Sequence, residues 1–103
     1  MGKNRDKESL IRLLANTIVH KIVLKHTNRP ESKKFLSMEI IEYSGQTGKM
    51  AEQHTWNIGD KAYIIKKALK KIKEKLGSKY SDVSYNPKEV EILLDKELIE
   101  LGL

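Results

Sequence analysis

The chain has 103 residues, 39% of them hydrophobic and 33% charged, with no cysteine and a formal net charge of +6 at neutral pH. That is enough chain for one hydrophobic core without staples, and the lack of cysteine excludes a disulfide framework, a thiolate metal site and a cysteine nucleophile. The opening MGKNRDKESL has no apolar signal-peptide core, no stretch reaches the roughly 18 apolar residues of a membrane span, and Asp6 stands where a myristoylation signal places Ser or Thr; the expectation is a cytoplasmic protein with no membrane partner.

Residues 1–6 are polar and read as a loose N-terminus of a single domain covering 1–103. From Lys7 the apolar residues Leu10, Ile11, Leu14, Ile18 and Ile22 recur at helical spacing, widened by Leu13, Val19 and Val23, and the pattern predicts a helix ending near Thr27 or Asn28, ahead of Pro30. Its second half, TIVHKIVLKHT, is rich in β-branched residues that also favour strands. Asn28, Arg29 and Pro30 form a connector, and Pro30 or Glu31 opens a second helix through Phe35, Leu36, Ile40 and Tyr43. Because FLSMEIIEY also alternates, an α+β arrangement with a hairpin within residues 17–43 is the competing architecture.

Between Ser44 and Trp56 the pattern weakens at Gly45 and Gly48, and a kinked helix end or a short helix from about Lys49 is expected. Gly-Gln-Thr-Gly-Lys resembles part of a phosphate-binding loop, but Tyr43 and Met50 occupy the places where that loop requires a glycine and a hydroxyl residue. Trp56, the only tryptophan, stands beside a helix start and is expected to anchor the segment against the core.

Asn57 to Gly77 is the clearest helix. Asn57 is a good N-cap, Asp60 suits the exposed amides of the first turn, and Gly77 is the expected left-handed stop. Ile58, Ala62, Ile65, Leu69, Ile72 and Leu76 mark an apolar seam. Lys66, Lys70 and Lys73 fall on one flank and Lys67, Lys71 and Lys75 on the other, with Tyr63 roughly opposite the seam among lysines. Residues 77–86 read as a linker. Asn86 as N-cap and Pro87 in the first turn then open a last helix with the stripe Val90, Leu93, Leu94, Leu98 and Leu101, and Gly102 near its end. The fold expected is all-α, a compact bundle of about four helices.

Charge is divided unevenly. Residues 1–79 carry 18 Lys or Arg against 8 Asp or Glu, a net +10, whereas residues 80–103 carry 2 against 6, a net −4. Either the body meets a polyanion, or the acidic last helix covers the lysines.

No catalytic signature orders the polar residues. Glu39 and Glu42, three apart on a helix, read as an exposed edge rather than an acid/base pair. His20 and His26 point about 120° apart on a helix and His54 is remote, so no metal site and no cofactor is expected. A histidine–arginine nuclease pair, His20 or His26 with Arg12 or Arg29, has no spacing that enforces it. The function expected is therefore non-enzymatic: nonspecific binding of nucleic-acid backbone by Lys66, Lys67, Lys70, Lys71 and Lys73, with Tyr63 as a stacking residue. The alternative is a protein-interaction or homo-oligomeric bundle in which the 58–76 seam or the last helix meets a partner and the lysines are solvated surface.

Overall fold

The structure, a computed structural model, describes residues 2–26, 30–80 and 84–103. Its described residues form four helices and no strand: α1 (Lys3–His26), α2 (Pro30–Glu52), α3 (Ile58–Ser78) and α4 (Pro87–Glu100). The hairpin alternative for residues 17–43 is thereby replaced by helix wherever those residues are described; Thr27 to Arg29, most of the expected connector, lie outside them. The N-terminus expected to be loose over residues 1–6 is helical from Lys3, where Lys3 and Lys7 pair with Asp60 of α3.

The axis of the bundle is α1. Leu10, Ile11, Leu14, Ala15, Ile18 and Ile22 are completely buried, and Leu13, Thr17, Val19 and Val23 nearly or fully so. A helix apolar on several sides has to be surrounded, and α2, α3 and α4 all pack on it. This burial explains why TIVHKIVLKH is helical despite its β-branched composition. A lone strand would leave most of those side chains in water, whereas the helix buries them against three neighbours. The Thr17 hydroxyl remains satisfied by donating to the Leu13 carbonyl at 2.9 Å.

The second helix starts at Pro30 and runs as one element through Gly45 and Gly48 to Glu52, with no separate short helix from Lys49. Thr47 is buried and donates to the Tyr43 carbonyl at 2.6 Å, and Ala51 reaches the core. Trp56 then folds back beneath the helix end, its indole N–H donating to the Ala51 carbonyl at 2.9 Å. That bond satisfies one of the carbonyls that a helix C-terminus leaves open, and the ring is buried as expected.

Asn57 and Asp60 form a capping box on α3: the Asp60 amide donates to Asn57 Oδ1 at 2.8 Å and the Asn57 amide to Asp60 Oδ2 at 3.1 Å. Two expectations for this helix change. Gly77 does not stop it: the helix continues through Ser78, and the only glycines with positive φ are Gly2 and Gly102. The buried line is Ile64, Ala68, Ile72 and Leu76, with Ile65 and Leu69 half-buried, while Ile58 is 85% exposed and Ala62 lies outside the core. A row spaced by four runs obliquely across the helix surface, not straight along it. Asp60, rather than Ile58, points inward in its first turn.

The last helix opens as expected, the Lys88 amide donating to Asn86 Oδ1 at 2.9 Å. It closes on Gly102 at φ 77°, with the Leu103 amide bonded to the Leu98 carbonyl at 2.8 Å and the Gly102 amide to the Ile99 carbonyl at 3.0 Å. These paired bonds are a Schellman motif. Val90, Leu94 and Leu98 are buried, and Leu93 and Leu101 are packed against the core.

Candidate nucleic-acid interface

With Ile64, Ala68, Ile72 and Leu76 turned inward, the 100° step of the helix leaves Lys66, Lys70 and Lys73 exposed and sets Lys67 and Lys71 half-buried at the seam with α1. Tyr63, Lys67, Lys70 and Lys71 line one shallow depression of about 240 Å³, together with Glu8 of α1 and Glu74. Lys66 and Lys73 are not among its lining residues. Tyr63 is 37% exposed, and its hydroxyl donates to Glu8 Oε1 at 2.7 Å. The ammonium groups of Lys7 and Lys67 stand 5.2 Å and 5.7 Å from the ring centroid, within cation–π range. The hydrogen bond to Glu8, with burial and the carboxylate charge added, raises the pKa of the Tyr63 hydroxyl.

The positive surface extends beyond the residues read from the sequence. Arg5, Ser9 and Arg12 of α1 share a groove of about 540 Å³ with Lys71 and Glu8, so cations from two helices line one channel. Arg5 and Arg12 are seven residues apart and therefore lie on one face of α1. That spacing is visible in the sequence, but its meaning depends on knowing which face of α1 lies beside α3. At the end of the same seam, Lys75 is half-buried and donates to Asn16 Oδ1. Burial lowers its pKa, and the neighbouring charges of Lys79, Lys71 and Arg12 lower it further. The repulsion from three cations reflects the density of positive charge along this seam.

The acidic last helix does not neutralise this field. Glu97 is buried against α1 and α2, accepting from Lys21 Nζ at 2.8 Å and from the Ser44 hydroxyl at 3.2 Å. Glu89 pairs with His26 at 2.8 Å and Lys25 at 3.7 Å. The His26 hydrogen bond is the main reason that the Glu89 pKa is lowered. Glu91, Asp95 and Glu100 are exposed. Among the described residues, no acidic side chain of α4 forms an ion pair with a lysine of α3.

On the other side of α3, a cleft of about 380 Å³ separates it from α2, because both helices pack on α1 and their backbones do not approach each other. His20 sits on its floor. One ring nitrogen faces the Asn16 carbonyl at 2.6 Å and the other faces Glu39 Oε2 at 2.7 Å. Glu39 is thus drawn inward to His20 rather than standing as an exposed edge beside Glu42, which is exposed. The cations lining this cleft are Lys75 and Lys79, and Arg12 is not among the lining residues; Arg29 lies outside the described residues. The three histidines engage separate carboxylates, His20 with Glu39, His26 with Glu89 and His54 with Asp6 at 2.5 Å. Among the described residues, no group of three or more His, Asp or Glu could hold a metal ion. Among the described residues, no helix is long and apolar enough to cross a membrane. Neither a known protein family nor a curated protein or solved structure matches the chain.

Proposed function

We propose that the α1–α3 seam binds the phosphate backbone of nucleic acid without reading its sequence, in the cytoplasm, with Lys66, Lys67, Lys70, Lys71 and Lys73 as phosphate contacts and Tyr63 at the edge of the contact surface. The observation that carries this reading is the continuity of the cations. Arg5 and Arg12 of α1 extend the lysine field of α3, while Glu89 and Glu97 of α4 are engaged elsewhere. Lysines and arginines gathered in a groove displace condensed counterions from a polyanion. No helix-turn-helix signature fixes a recognition helix, so binding rests on phosphate contacts with no base readout.

The test is binding of labelled duplex and single strands across roughly 50 to 300 mM salt, with all of Lys66, Lys67, Lys70 and Lys71 changed to Gln in one variant and Arg5 and Arg12 changed to Gln in another. Four or five phosphate contacts predict that affinity drops about a hundredfold or more between roughly 50 and 200 mM salt. Both variants should flatten the salt slope and weaken every sequence alike. Binding that is unchanged in both would remove the seam from consideration.

A further inference from the structure

The outer side of α2 carries a second exposed feature, one edge of which, Phe35, borders the cleft that Lys75 and Lys79 also line. The backbone of α2 approaches α1 and neither of the other helices, and its outer side carries Phe35, Met38 and Ile41 at 62%, 62% and 73% exposure. Scattered exposed apolar residues are ordinary, but three large ones on one stretch of a helix in a chain this small form a patch with a purpose. They stand three residues apart, so they sweep about 120° of the helix surface centred on Met38, opposite the buried Leu36 and Thr47. Lys34 and Glu42, both exposed, lie four residues to either side of Met38.

This pattern is self-complementary, and from it we infer that α2 pairs antiparallel with α2 of a second copy of this chain, about a two-fold axis at Met38. In such a pair, residues equally far before and after Met38 come to the same level. Met38 meets its own copy, Phe35 is level with Ile41, and Lys34 is level with Glu42. Each apolar residue therefore meets an apolar one, and each charge meets its opposite, twice by symmetry. A parallel pair would instead set Lys34 against Lys34 and Glu42 against Glu42. Gly45, exposed and with open space where a Cβ would project, lies close to the same line and lets the two backbones approach. Three apolar side chains per copy fall short of the roughly 800 Å² that each partner of a standard interface buries, so the dimer is a weak one, with a dissociation constant of about 10 to 100 μM.

Sedimentation equilibrium of the full chain from about 5 μM to 1 mM measures it. The expected result is a monomer–dimer equilibrium that Met38→Asp abolishes, because one substitution brings two carboxylates together at the axis. Lys34→Glu and Glu42→Lys should each raise the dissociation constant at least about tenfold. The double variant should restore it, and so should an equimolar mixture of the two single variants, since a mixed pair has only opposite charges in register. All these positions are exposed, so helix content by circular dichroism should not change. A chain that stays monomeric throughout, a dimer indifferent to Met38→Asp, or single charge reversals that neither the double variant nor the mixture rescues would each overturn the proposal.

Discussion

Asp60 ties two helices together. Its carboxylate accepts from the Asn57 amide and also holds Lys3 at 2.7 Å and Lys7 at 2.6 Å, so the first turn of α1 is fastened to the start of α3. The hydrogen bonds from the two lysines come first, and that from the Asn57 amide next, in holding its pKa far below the ordinary value of 3.8. A carboxylate stabilised as the anion contributes stability that is fully present above the ordinary pKa and is lost as the pH falls from there towards the depressed one. Asp60→Asn should therefore lower the melting temperature by a constant amount between about pH 5 and 8, and the gap should begin to narrow below about pH 4 and close only as the pH approaches the depressed pKa. Thermal unfolding followed from neutral pH into acid measures the gap, and a difference that does not narrow at all below about pH 4 would mean that shape, not charge, is what Asp60 supplies. The Asn57–Asp60 box was legible in the sequence because both partners lie within one turn. The two lysines were not, since nothing local brings residues 3 and 7 to residue 60.

At the scale of the helix, local signals placed most boundaries but not the face that each helix buries. Asn57, Asn86 and Pro87 mark starts as their chemistry requires, because caps depend on amides within three residues. Gly77 carries the same chemical signal as Gly102, yet only Gly102 adopts the left-handed conformation. A Cβ on Gly77 would meet nothing within 4 Å. Gly77→Ala should thus stabilise the protein by about 0.5–1 kcal/mol, through the entropy of the unfolded chain and better helix propensity, whereas Gly102→Ala, at positive φ, should destabilise it by about 1 kcal/mol. Chemical denaturation of the two variants reads the opposite signs, and destabilisation by Gly77→Ala would return Gly77 to the role of a helix stop. The seam of α3 shows the complementary limit. Periodicity located an apolar face, but Ile58 ended in solvent while Asp60, pointing nearly the opposite way from the same turn, is the residue that is buried.

For the molecule as a whole, α1 is the common wall, and this makes its fully buried residues shared property of the other helices. Leu14→Ala should cost about 2–5 kcal/mol and unfold all four helices together. Circular dichroism at the helix band and Trp56 fluorescence should give coincident transitions; if they separate, α2 with Trp56 is an independent unit. The sequence alone determined the helix starts at Asn57 and Asn86, the amphipathic last helix and the excess of positive charge over residues 1–79, and it favoured the all-α class over a hairpin within residues 17–43, because each follows from composition or from residues within a turn or two of one another. Only the tertiary structure decided that α1 and not α3 is the axis, that Arg5 and Arg12 continue the lysine field, that Glu97 is spent on Lys21 and Ser44, and that Phe35, Met38 and Ile41 face outward. Those outcomes depend on how helices far apart in the chain are rotated against one another. The rotation is set by the summed packing of every face at once, which no single helix carries in its own period.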